Sequence, residues 1–150
     1  CLALYGYSPF LKSSCHLNLK PALSVKARVT LLRDVPKGTG VSYGHLFRTP
    51  RFSRLAVVSV GYADGVPKSL SGKISILCNG HRLPQVGAIT MDQLIFDATD
   101  YPELEVGSLV TLLGADGEGL ITPNEWCALS GSNPWEVLCG FKHRLPRLVI

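Results

Sequence analysis

No block of like charge occurs in this chain. Its 150 residues carry 15 Lys and Arg against 11 Asp and Glu, and the basic residues are scattered. The resulting formal charge of +4 is mild. A nucleic-acid or membrane patch needs cations gathered together, so neither partner is expected. Long apolar runs are missing too; a membrane-spanning helix needs roughly 20 such residues in a row. The opening Cys1-Leu2-Ala3-Leu4-Tyr5-Gly6 is apolar but lacks the basic start and cleavage site of a secretory leader. It also lacks an initiator methionine, so we read the chain as a piece of something longer. Cysteine spacing is equally uninformative for cross-links. There are five cysteines, an odd number, with no C-x-x-C pair, which excludes a disulfide framework and a zinc site. Buried free thiols in a reducing cytosol are expected instead. The histidines His16, His45, His81 and His143 show no metal spacing, and no metal is expected.

What is present reads as β structure. A length of 150 residues suits one domain with its own core. Leu23 to Leu31 alternates apolar and polar residues, the signature of a half-buried strand. Asp34 to Gly40 is rich in turn residues. Arg54 to Val60 holds a nearly continuous apolar run, which predicts a central strand. Lys73–Cys78 and His81–Leu83 flank Asn79-Gly80, which predicts a two-residue type I′ hairpin because both turn residues accept positive φ. Strands are also predicted over Ile89–Ala98, Gly107–Gly114 and Arg144–Ile150, with Pro146 placing the last near an edge. Ala115 to Gly119 reads as a tight loop; no Lys-Ser/Thr follows it, so a phosphate cradle is set aside. Two short helices are predicted near the end. Thr122-Pro123-Asn124-Glu125 and Asn133-Pro134-Trp135-Glu136 each place a capping residue before a first-turn proline. Gly131 and Gly140 are the expected stops. Many short strands with helix only near the end predict a mainly β fold, an antiparallel barrel or sandwich, of which a Greek-key-type barrel is the expectation taken here. Residues 1–18 read as a trailing segment, with Leu2, Leu4 and Tyr5 as a short buried piece and Gly6 to Ser14 as loop.

Three stretches share one texture. Gly40-Val41-Ser42-Tyr43-Gly44-His45, Gly61-Tyr62-Ala63-Asp64-Gly65 and Gly87-Ala88-Ile89-Thr90-Met91-Asp92 each set a polar or special residue among small ones at a strand end. Small neighbours let a backbone or ligand approach closely, and strand ends and loops are where functional residues collect. A lone tyrosine in a β domain more often packs its ring and hydrogen-bonds its hydroxyl. The recurrence of the texture at Tyr43, Tyr62 and Met91-Asp92 favours a site. Residue chemistry alone does not name its reaction.

Taken in order with the closing Arg144-Leu145-Pro146-Arg147 and the opening Leu19-Lys20-Pro21-Ala22-Leu23, these motifs resemble the C-terminal half of the bacterial alanine racemases over essentially the whole chain. The resemblance implies a pyridoxal-phosphate enzyme of two domains that interconverts L- and D-alanine in the cytoplasm and supplies D-alanine for peptidoglycan precursors. An N-terminal α/β barrel would carry the Schiff-base lysine. The β domain would lend its base to the active site of the other protomer of a homodimer. Residues 1–18 would be the end of that barrel and residues 19–150 the β domain, inactive by itself.

The same resemblance assigns roles. Tyr43 matches the base on the L-alanine side, and Met91 the residue whose backbone amide helps hold the substrate carboxylate. Tyr62 matches a tyrosine lining the access corridor. Leu2 matches a backbone contact to the cofactor phosphate, although Cys1 stands where glycine is usual. His143 stands where a tyrosine normally reaches that phosphate and narrows the inner gate. Lys68 and Ala88 stand where arginine is often found. The chemistry is coherent, since racemisation removes a proton from one face of Cα and returns one to the other, which calls for two flanking bases. A free phenol ionises near pH 10, so a tyrosine base requires cationic or donor neighbours. Three other readings stay open. An oligonucleotide-binding-type barrel without catalysis would show steep salt dependence on single strands. The β domain of a related pyridoxal-phosphate decarboxylase would carry carboxylate and cysteine substrate motifs not visible here. A dimerisation domain without catalysis would leave Tyr43 and Met91-Asp92 unexplained.

Overall fold

The computed structural model describes residues 2–8 and 19–149. The expectations placed on Cys1, Cys15, His16 and most of the loop before Asn18 lie outside the described residues. Among the described residues the strands are β1 Val25–Val35, β2 Gly40–Val41, β3 Phe47–Arg48, β4 Ser53–Val58, β5 Ser75–Cys78, β6 His81–Pro84, β7 Leu94–Asp97, β8 Leu109–Asp116 and β9 Gly119–Ile121. Two helices follow, α1 Pro123–Ser130 and α2 Pro134–Gly140. The fold is mainly β and antiparallel, with both helices near the C-terminus, as the patterning predicts.

The sheet turns on β1. Its register shifts between Val29 and Leu31, and the residues on either side serve different neighbours. Val25 to Arg28 pair with β8, while Val29 to Val35 pair with β4. The resulting order is β6-β5-β8-β1-β4-β7, with β9 added to β8. The ends of this path approach each other. Gln85 bridges Phe96, and the Val86 N–H donates to the Ile95 carbonyl at 2.9 Å, so the sheet curls into a barrel-like shape. β4 is central, between β1 and β7, which accounts for its unbroken apolar run.

The concave side of the sheet fills one large core that includes Val29, Val58, Ile76, Leu94, Phe96, Leu112 and Leu113. Each such side chain contributes about 1.5–3 kcal/mol on burial. The helices close this core with Trp126, Val137 and Leu138. The Trp126 and Phe141 rings lie 6.0 Å apart at a tilt of 47°. Asn79 (φ 50°) and Gly80 (φ 83°) form the predicted two-residue turn between β5 and β6.

Several expectations need correction. The strand expected over Ile89–Ala98 is confined to β7, because Thr90 and Gln93 close a tight turn before it. The loop expected over Ala115–Gly119 shrinks to Gly117-Glu118, since Asp116 still pairs with Gly119. The first strand starts later than Leu23 and runs on to Val35, so the turn-rich stretch begins only at Pro36. The described part of Arg144–Ile150 is no strand; Pro146 lacks a donor, Arg144 turns to two carboxylates, and no sheet edge receives the segment. The short piece at Leu2–Tyr5 is a 3-10 turn that buries Leu2 but leaves Leu4 exposed. The described thiols are free, yet only Cys78 is buried; Cys127 is half-buried and Cys139 is exposed on α2. Burial pushes the Cys78 and Cys127 thiols up from their ordinary value.

Candidate active site

Tyr43 stands on a small arm outside the main sheet. β2 and β3 pair at Gly40–Arg48 and Val41–Phe47, and the 3-10 turn Tyr43–His45 forms the tip. The arm is seated by a separate apolar cluster in which Val35, Val41, Leu55 and Val86 pack with Phe47 and Ile95. Gly87 (φ 72°) passes directly beneath it; a Cβ there would lie 2.9 Å from the Val41 carbonyl oxygen. Ser42 takes φ 59° and ψ −172°, a region normally left to glycine and costing on the order of 1–3 kcal/mol. Its hydroxyl donates to the Ala88 carbonyl at 2.8 Å, which holds the strained residue in place. The base of the arm is thus fixed while its tip projects. Tyr43 is 78% exposed, and no described residue hydrogen-bonds its hydroxyl. The imidazole of His45 folds back against Gly40 rather than onto the phenol of Tyr43.

Met91 stands in the turn that interrupts the expected strand. The Thr90 N–H donates to the Gln93 carbonyl at 3.1 Å, and the Gln93 N–H donates to Thr90 Oγ1 at 3.1 Å. The turn is gripped from behind by the second glycine-flanked stretch. The Tyr62 N–H donates to the Thr90 carbonyl at 2.9 Å and the Ala63 N–H to the Met91 carbonyl at 3.1 Å. This approach is so close that any Cβ on Gly61 would collide with the carbonyls of Thr90 and Met91. The Met91 N–H has no acceptor among the described residues, and the residue is 52% exposed.

The closing motif ties these pieces together. Arg144 places Nε 3.2 Å from Asp64 Oδ1 and Nη2 2.6 Å from Asp92 Oδ1. Asp64 is buried, and its Oδ2 accepts the Gly61 N–H at 2.9 Å. Arg144 therefore holds its proton more firmly than usual, chiefly through the hydrogen bond to Asp92.

These elements enclose an open concavity of about 570 Å³ whose lining includes Tyr43, Tyr62, Lys68, Ala88, Met91 and Asp92. Five of the residues singled out in the sequence, Tyr43, Tyr62, Lys68, Ala88 and Met91, meet at this one place. Leu2 and His143 do not line it. Leu2 is 2% exposed with its side chain in the main core, and His143 lies on the surface beside Arg144. Sequence reasoning missed the Arg144–Asp64–Asp92 cluster. The residues were visible in their motifs, but partners so far apart in the chain leave no local pattern. Ser42 was also missed as the anchor of the arm. An exposed phenol, an unpaired backbone N–H and a lysine around a small concavity can receive a small carboxylate and move a proton beside it.

Comparison with known proteins identifies the family and the fold. The family described as "Alanine racemase, C-terminal domain" matches residues 22–149. An alanine racemase of Prochlorococcus marinus is 62% identical over 149 residues, covering 99% of this chain and 39% of the relative. The structure of alanine racemase from Bacillus anthracis with bound L-Ala-P superposes with a TM-score of 0.91 at 37% identity, covering 99% of this chain and 38% of the other. That from Bartonella henselae with covalently bound pyridoxal phosphate gives 0.90 at 37% identity, covering 99% and 40%. The chain spans about two fifths of the length of these proteins. With 22–149 matched by the family, this chain belongs to the alanine racemase C-terminal domains.

Proposed function

We propose that this domain is the C-terminal part of a pyridoxal-phosphate-dependent alanine racemase, an isomerase, and that Tyr43 is its base for L-alanine, with the cationic or donor neighbours its phenol needs coming from the rest of the enzyme. The observation that carries the reading is the convergence of Tyr43, Tyr62 and the Met91 turn on one concavity, with the phenol projecting and its hydroxyl unengaged by any described residue. The residues present fit one side of the cofactor with its substrate. The aromatic rings of Tyr43 and Tyr62 offer flat apolar surface, and the Met91 N–H and Lys68 offer donors to a carboxylate.

Pyridoxal phosphate, when bound, supplies the electron sink that stabilises negative charge at the substrate Cα. The Tyr43 oxygen takes the α-proton from the L face, or returns it there. The Met91 N–H holds the substrate carboxylate so that the Cα–H bond points at that oxygen. Tyr62 lines the approach, and Lys68 lends it positive charge where Ala88 contributes none. By the family resemblance alone, Leu2 and His143, which lie outside this concavity, would meet a cofactor phosphate.

The second base, a lysine, would belong to an N-terminal α/β barrel of the same enzyme. Residues 1–18 would be the end of that barrel and 19–150 the β domain. The projecting Tyr43, with Leu46 and Phe52 exposed nearby in sequence, supports completion of the site by another protomer in a homodimer. Cytoplasmic action and supply of D-alanine to peptidoglycan precursors follow from the same family reading.

The test is direct. The full-length enzyme loaded with pyridoxal phosphate is expected to bring either alanine enantiomer to a mixture of both, followed by chiral chromatography. The 150-residue chain by itself is expected to leave both unchanged. A loaded full-length enzyme that left alanine untouched would refute the reading. Release of carbon dioxide from a diamino acid would point to the related decarboxylases.

A further inference from the structure

We infer that Arg144 is a positioning residue for substrate binding, clamping the Met91 turn by joining Asp92 in front to Asp64 behind. The inference rests on the role proposed for the Met91 N–H. Two carboxylates from different segments meet one guanidinium, at 3.2 Å for Asp64 and 2.6 Å for Asp92. Asp64 is buried, and its other oxygen holds the Gly61 N–H, at the start of the stretch that grips the carbonyls of Thr90 and Met91. One side of the Met91 turn is thus fixed through the backbone of Tyr62 and Ala63. The other side is fixed at Asp92, the next residue, through Arg144.

The arm to Asp92 is partly open to solvent, and an exposed ion pair of this kind adds little to stability. What it supplies is orientation, because a planar guanidinium fork spans two carboxylates at set angles whereas an ammonium is a point charge. Direction matters most at an N–H that must meet a carboxylate oxygen. The arm to Asp64 has a further consequence, since a buried carboxylate left unpaired disturbs the turn it caps.

The test uses full-length, cofactor-loaded enzyme carrying Arg144→Lys or Asp92→Ala. Both variants are expected to raise KM for alanine by roughly tenfold, comparable to weakening one hydrogen bond to a charged group. They are expected to leave kcat within about threefold of the parent. Amide exchange of the peptide covering 88–93 is expected to quicken by about an order of magnitude, while the melting temperature of Asp92→Ala stays near the parent's. Lysine at 144 is not expected to rescue, because charge without the fork is insufficient.

Unchanged KM and unchanged exchange in both variants would overturn the inference. So would a lowered melting temperature with KM and kcat per folded enzyme unchanged, which is the mark of a purely structural residue. If Arg144→Lys fails to fold, Asp92→Ala decides. A parent enzyme without racemase activity would refute the proposed function instead, and the exchange comparison would then decide the clamp by itself.

Discussion

At Gly61, one missing methyl group lets two segments of the site touch. The carbonyls of Thr90 and Met91 occupy the space a Cβ would need, and the hydrogen bonds from Tyr62 and Ala63 depend on that closeness. Gly61→Ala must push the Met91 turn away or distort its own backbone. The expected cost is about 1–3 kcal/mol, as for overpacking elsewhere, read from denaturant unfolding. KM for alanine should rise with it, because the displaced residue is the proposed carboxylate donor. An unfolding midpoint equal to the parent's would show that the contact is dispensable. The small-residue texture at this position is plain in the sequence, but what it makes room for is not. The carbonyls that exclude a side chain belong to a segment almost thirty positions downstream (Thr90-Met91), and no spacing rule connects the two.

Among the elements, those governed by local chemistry are legible in the sequence. The Asn79-Gly80 hairpin needs only two residues that tolerate positive φ, and it forms where expected. Helix α1 begins where Thr122 and Pro123 place it, with the Thr122 hydroxyl accepting the Glu125 N–H at 3.2 Å. Thr122→Ala is therefore expected to cost about 1 kcal/mol, measured by thermal unfolding, with no effect on the site. The Glu125 side chain, however, does not complete a reciprocal cap; it pairs with Arg82 on β6 at 2.6 Å. The elements that build the site are the ones the sequence conceals. β2 and β3 have two residues each, too short for any alternation to show. The Thr90–Gln93 turn lies within an apolar run that reads as strand, and its closure depends on a threonine side chain bonding to backbone three residues on. The stretch from Arg144 has strand-like composition, yet its fate was decided by two distant carboxylates.

On the scale of the whole molecule, the fold leaves the candidate site open. The sheet and its core seat the segments that carry Tyr43, Tyr62 and Met91, while the concavity they line is open and its phenol projects. A chain spanning about two fifths of its relatives supplies one wall and, on our account, one base of two. That division has a consequence which a structural role for Tyr43 would not share. Tyr43→Phe keeps the ring and, with the residue exposed, leaves stability nearly unchanged. In the full-length enzyme it would, on this proposal, remove the base on the L face only. The decisive measurement follows the α-proton signal of each alanine enantiomer in heavy water. Exchange from L-alanine, and net racemisation, should fall by about a hundred- to ten-thousand-fold, the usual contribution of a general base. Exchange from D-alanine, which the proposed lysine of the other half would serve, should persist. Equal loss from both enantiomers, or undiminished exchange from L-alanine, would contradict the assignment of Tyr43 as the base.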